Sequence, residues 1–192
     1  MSKDKNRVCP VERAGHLDTR TRRWIQNPRK ILKPHVKEGM TVLDVGCGPG
    51  FFTVEMARMV GDSGRVIAVD LQEGMLQIVR DKVKGSELEE RITLKKCEEN
   101  TIAVTEEVDF VLLFYVVHEI PDKDKLFKEV EEILSEQGKV LIVEPPFHVS
   151  RSAFAETISK ANEAGLSDSK GPRMFFCKTR ILEKPRSRRS KV

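Results

Sequence analysis

From Thr41 onward the chain alternates short β-branched, apolar runs with longer stretches whose apolar residues recur every three or four positions. This alternation predicts a parallel sheet with covering helices, because central strands are buried on both faces and each helix on one. The strands are read as Thr41–Val45, Arg65–Asp70, Arg91–Lys95, Val108–Phe114 and Lys139–Glu144, and the helices as Phe51–Val60, Glu73–Val83, Lys123–Leu134 and Ser152–Ala164. In Lys123–Leu134 the residues Leu126, Val130, Ile133 and Leu134 share one face, with Lys and Glu on the other. Gly138 and Gly165 read as stops after the last two helices. Met174–Leu182 then supplies a final strand or hairpin, expected to run antiparallel. Upstream, Thr19–Val36 reads as one or two helical turns broken at Pro28 and near Pro34. No internal repeat is present.

Composition narrows the class. A chain of 192 residues with 39% hydrophobic content builds one core and one domain. The organisation expected is an arm or lid over residues 1–37, a domain over 38–183, and a basic, disordered tail over 184–192. The apolar run Val108–Val117 falls well short of the ~20 residues that cross a bilayer, so no membrane span is expected. Lys3, Lys5 and Arg7 have no apolar stretch behind them, so no secretory leader is expected and the protein is placed in the cytoplasm. Cys9, Cys47, Cys97 and Cys177 are scattered without paired short spacing, which argues for reduced thiols and against a metal site. The net charge of +4 conceals an asymmetry: residues 1–37 carry +8 and the tail +5, leaving −9 for the body between them. Basic ends flanking an acidic body fit disordered, solvated termini first, the tail above all, and alternatively a footprint for nucleic acid, anionic lipid or an acidic substrate.

The candidate chemistry begins where the first strand ends. Val42-Leu43-Asp44-Val45-Gly46-Cys47-Gly48-Pro49-Gly50 leaves a buried strand through a glycine-rich turn and enters a helix. Glycines at alternate positions let the backbone turn sharply and approach a ligand, and amides at a helix start face that ligand. The second strand, Val66-Ile67-Ala68-Val69-Asp70, ends in an acid at the position that presents a carboxylate to ribose hydroxyls in nucleoside-binding sheets. A dinucleotide fingerprint requires Gly or Ala where this chain has Phe51, which argues against a pyrophosphate ligand.

The spacing, preceded by Asp44, resembles motif I of class I S-adenosylmethionine-dependent methyltransferases, and residues 15–182 as a whole are similar to the type 11 (UbiE-like) methyltransferase family. That resemblance implies an α/β, Rossmann-like fold: an open, mostly parallel twisted sheet with helices on both faces. It implies S-adenosyl-L-methionine as cofactor and methyl transfer by in-line displacement. On the same resemblance Asp70 binds the ribose, Leu71 and Met75 pack on the adenine, and Cys97-Glu98 lies at the adenine edge where many relatives carry an Asp. The backbone at Gly46 and Gly48 approaches the methionine part, with Asp44, Cys47 and Gly50 completing the turn, and Phe114 and Tyr115 line the transfer site.

Alignment of an acceptor with an activated methyl group needs no base, but a hydroxyl acceptor benefits from one. His118, with Glu119 beside it, follows the fourth strand where substrate should lie, so His118 and Tyr115 are the candidate catalytic residues; a packing role explains His118 equally well. Glu144-Pro145-Pro146-Phe147 follows the fifth strand and reads as a rigid exit, with His148 beside it as a pocket residue. A small-molecule acceptor is the first reading. The alternatives are an RNA or protein methyltransferase using the basic ends, and a non-catalytic S-adenosylmethionine-binding partner subunit.

Overall fold

The strand and helix assignments resolve into one layered arrangement in a computed structural model, which describes Val11 and residues 26–174 and 176–185. Among these residues the strands are β1 (Thr41–Val45), β2 (Arg65–Asp70), β3 (Ile92–Lys96), β4 (Val108–Phe114), β5 (Leu134–Glu144), β6 (Ser167–Lys170) and β7 (Lys178–Glu183). The helices are α1 (Pro28–Leu32), α2 (Thr53–Val60), α3 (Glu73–Val83), α4 (Lys123–Ile133) and α5 (Arg151–Glu163), with a 3₁₀ turn over Val117–Glu119. The strands form a single sheet in the order β3-β2-β1-β4-β5-β7-β6. Strands β1 to β5 are parallel, and β7 lies antiparallel to both β5 and β6. Strand order reverses between β1 and β4, the place where open α/β sheets leave a crevice beyond the carboxyl ends of their strands.

Period-two alternation assigns each strand residue to one of two layers. Val42, Val66, Phe110, Leu112 and Leu141 pack with Leu32 of α1 and with Met56, Ala57 and Val60 of α2. Ala68 meets Leu76 and Val79 of α3 on the same side. Leu43, Val45, Ile67, Val69, Val111 and Leu113 face the other way, against Leu126, Phe127 and Val130 of α4 and Phe154, Ile158 and Ala161 of α5. Phe110 and Phe127 have no exposed surface, and burying each such side chain contributes about 1.5–3 kcal/mol.

The structure departs from the sequence reading at three places. Pro28 opens α1 instead of breaking a helix: the Asn27 side chain accepts a hydrogen bond from the Lys30 amide at 3.0 Å, and proline suits the first helical turn. Thr19 to Ile25 lie outside the described residues. Gly138 is not a helix stop but sits inside β5, because Leu134 turns extended directly after Ile133 and pairs with Val108. Ser135 helps fix that entry by donating to Asp109, which also accepts from the Thr41 amide. Finally, β6 had no apolar alternation to announce it; Ser167–Lys170 is polar and gains strand geometry from pairing with β7. Gly165 does stop α5, at a φ of 99° and with the Leu166 and Gly165 amides donating to the carbonyls of Ala161 and Asn162. No helix among the described residues is long and apolar enough to cross a membrane.

Candidate functional site

The chain leaves β1 through a turn in which Gly46, Gly48 and Gly50 all have positive φ. The amides of Gly46 and Cys47 both donate to the Val69 carbonyl, at 2.9 and 3.0 Å, tying the turn to the end of β2. Gly46 has a steric reason as well: a Cβ built there would lie 2.5 Å from Cγ2 of Val116, so the turn after β4 packs directly on it. A Cβ at Gly50 would meet Val79 of α3 at 3.0 Å. Gly50 therefore serves the packing of α3 against the turn, and Cys47 joins the same small cluster with Leu76 and Val79.

Asp70 closes the turn from the opposite side. Its Oδ2 accepts from the Gly48 amide at 2.8 Å and its Oδ1 from the Gln72 amide at 2.9 Å. Its residue surface is only 6% exposed. Burial pushes its carboxyl pKa up, and the amides of Gln72, Gly48 and Leu71 partly oppose this. Each oxygen has accepted one of these bonds and retains acceptor capacity for a hydroxyl. Asp44 lies deeper, at 3% exposure, and accepts a 2.6 Å hydrogen bond from the Thr53 hydroxyl. Burial brings its pKa up to about 7, against the lowering effect of Thr53 and with a further rise from the Asp70 charge.

The remaining candidates fall into three environments. Leu71 is half-buried next to Asp70, and Met75 is 1% exposed in the first turn of α3. The Cys97 amide donates to the Asp70 carbonyl at 3.1 Å, extending the β2–β3 pairing by a residue. Burial, and the Asp70 charge after it, push the Cys97 thiol up to about 11. Glu98 is exposed and forms a two-way backbone bridge with Thr101. Phe114 is packed between Phe52 and Tyr115, at centroid distances of 4.3 and 4.4 Å.

The two candidate catalytic residues enter different surroundings. Tyr115 adopts a φ of 60°, its hydroxyl accepts from Gln26 Nε2 at 2.7 Å, and it lies 2.9 Å from Cys177 Sγ. His118, in the 3₁₀ turn, instead faces β5 and α5. Its Nδ1 is 2.6 Å from Glu144 Oε2, and its amide donates to Glu144 Oε1 at 3.2 Å. Burial disfavours the charged imidazole, but the Glu144 hydrogen bond and the charges of Glu144 and Glu119 outweigh it, so the His118 pKa is raised. Burial, with the Asp70 and Glu144 charges adding to it, likewise brings Glu119 up to about 7 against the opposing pull of His118. A cavity of about 170 Å³ opens beside this pair, lined by His118, Lys123, Glu144, His148 and residues of α5.

Sequence reasoning missed the partners. Thr53 under Asp44, Val116 against Gly46 and above all Glu144 under His118 were not identified as site groups. For Glu144 a signal existed: it is a lone carboxylate ending the apolar run Val140–Val143.

Comparison with known proteins places this geometry among relatives. A methyltransferase domain model matches residues 36–180. The chain is 35% identical over 122 residues to a demethylmenaquinone methyltransferase of Lactobacillus johnsonii, covering 63% of this chain and 49% of that protein. It is 32% identical over 138 residues to the ubiquinone/menaquinone biosynthesis C-methyltransferase UbiE of Geobacter sulfurreducens, covering 71% and 52%. The chain thus spans about half the length of the curated relatives it matches. Among solved structures, a SAM-dependent methyltransferase from Aquifex aeolicus superposes with a TM-score of 0.79 at 26% identity, covering 91% of this chain and 97% of that one. With that domain model matching three quarters of its length, the chain belongs to the methyltransferase domain family.

Proposed function

We propose that this chain binds S-adenosyl-L-methionine in the crevice above β1 and β2 and transfers its methyl group to a small-molecule acceptor. The observation that carries the reading is Asp70: a nearly buried carboxylate, held by the Gly48 and Gln72 amides beside the glycine turn, with acceptor capacity left for a ribose diol. The electrostatics support it independently. Asp44, Asp70 and Glu119 each pay a burial penalty in their charged form, and a cation brought among them relieves it. S-adenosylmethionine supplies a methyl group on a cationic sulfur, and alignment of donor and acceptor alone contributes ~7–11 kcal/mol to its in-line transfer.

In this reading Leu71 and Met75 border the adenine, Cys97 and Glu98 lie at its edge, and Gly46 and Gly48 give the backbone access to the methionine part. Phe114, wedged between Phe52 and Tyr115, backs the transfer site. Relatives named for demethylmenaquinone and for ubiquinone/menaquinone biosynthesis support an acceptor of the quinone kind.

The test has two arms. Calorimetric titration with S-adenosylmethionine should give saturable binding that Asp70→Ala weakens by ~1.5–3 kcal/mol, the cost of losing hydrogen bonds to a charged acceptor. Incubation with methyl-labelled donor and a fractionated cell extract should then place the label in the small-molecule fraction. Label in the RNA or protein fraction would reassign the acceptor, and no binding at all would remove the donor.

A further inference from the structure

The His118–Glu144 pair is built in a way that simple packing does not require. Glu144 is the last residue of β5 and 1% exposed, and its side chain meets two groups of the same residue: Oε1 accepts from the His118 amide and Oε2 lies 2.6 Å from the His118 ring. Burying a carboxylate is costly unless it is paired. Holding both backbone and ring fixes the imidazole plane and its tautomer: Nδ1–H donates to Glu144, so neutral His118 carries its lone pair on Nε2. The ring borders the cavity shared by the 3₁₀ turn, the β5–α5 loop and the first turns of α5. Val116, two residues before His118, packs against Gly46 of the glycine turn, so the segment leaving β4 runs from the crevice to the cavity.

We propose that His118, positioned by Glu144, removes the proton from a weakly acidic hydroxyl of the acceptor, a phenol or enol seated in this cavity. The proposal rests on the methyl-donor reading above. The proton passes from the acceptor oxygen to His118 Nε2. The electron pair released on the acceptor forms the new bond to the methyl carbon, the pair of the methyl–sulfur bond stays on sulfur, and the imidazolium returns its proton to water. Lys123, at the start of α4, and His148, whose ring lies 6.4 Å from that of His118, stand where an anion develops. The charged and titratable groups around His118 are Glu144 from β5, Glu119 from its own turn, Lys123 from α4, His148 from the β5–α5 loop and Glu156 from α5.

Three proteins test this: wild type, His118→Asn, which keeps a donor for Glu144 but has no base, and Glu144→Gln, which removes the charge that orients the ring. First, NMR titration of the ¹⁵N-labelled imidazole should show the Nδ1–H tautomer and a raised pKa in the wild type, with both lost in Glu144→Gln. Second, all three should bind S-adenosylmethionine equally; failure of the wild type to bind overturns the donor reading and not the dyad. Third, methyl transfer should be measured with phenol, 1-naphthol and 4-nitrophenol as probes. The wild-type rate should rise with pH and level above the His118 pKa. His118→Asn should lose ~10²–10⁴-fold on the weakly acidic phenol and 1-naphthol. It should lose little on 4-nitrophenol, which is already ionised in mildly alkaline buffer. Equal losses on all three probes, an Nε2–H tautomer, or no transfer to any probe by a wild type that binds the donor would each overturn the proposal.

Discussion

At the scale of single residues, the site trades stability for charge, and Asp44 shows the trade most directly. Its folded pKa of about 7 stands above the ordinary 3.8, so between those values the folded chain keeps a proton that the unfolded chain has released. The contribution is therefore fully present at low pH and is lost as pH rises through the folded value. Asn at position 44 keeps an oxygen for Thr53 and cannot ionise. Asp44→Asn should raise the melting temperature near pH 8, with the gain narrowing toward about pH 5, while weakening S-adenosylmethionine binding. A melting temperature equal to wild type across that range would mean that Asp44 is not strained. Gly46 gives a steric counterpart. Gly46→Ala should cost ~1–3 kcal/mol in urea denaturation, since the new methyl group meets Val116 in a turn of positive φ. Measured against Val116→Ala alone, the double variant should recover only the part due to the clash. The placement of Asp70 beside the glycine turn was legible because it follows from the local spacing of β1, the turn and β2. Glu144 under His118 was not, because the two sit 26 positions apart and meet only once β4 and β5 pair.

At the scale of elements, strands with strong apolar runs were readable and those shaped by partners were not. β1, β2 and β4 match their predicted bounds, because burial on both faces demands a nearly continuous hydrophobic sequence. β6 carries Ser, Asp, Ser and Lys, so its strand geometry comes from hydrogen bonding to β7 and leaves no trace in hydropathy. The start of β5 was hidden for a related reason: Leu134 fits the apolar stripe of α4 and the strand equally well, and its pairing with Val108 decides the matter. The start of α5 can be tested directly. The Ser150 hydroxyl accepts from the Ala153 amide at 3.0 Å and caps a helix that walls the cavity beside His118. Ser150→Ala should cost ~1 kcal/mol of unfolding free energy, and Ser150→Asp should restore most of it. An unchanged denaturation midpoint in Ser150→Ala would show that the cap is dispensable.

At the scale of the whole molecule, the segment before α1 enters the described structure beside the crevice. Trp24 and the basic residues that precede it lie outside the described residues, but Gln26 at their boundary reaches Tyr115 beside the crevice. If the arm acts as a lid, deleting residues 1–22 should reduce turnover more than melting temperature. Fluorescence of Trp24, the sole tryptophan, should then shift on adding S-adenosylmethionine. A silent fluorophore with a large drop in melting temperature would make the segment a structural leader. The sheet also ends in two unlike borders. β3 contributes Lys95 and Lys96, and β6, the element that hydropathy missed, contributes Asp168 and Lys170. Charges on outer strands resist edge-to-edge pairing between copies. The polarity that hid β6 from sequence reading thus serves colloidal behaviour: it keeps a sheet with so apolar an interior from templating its own aggregation in a crowded solution.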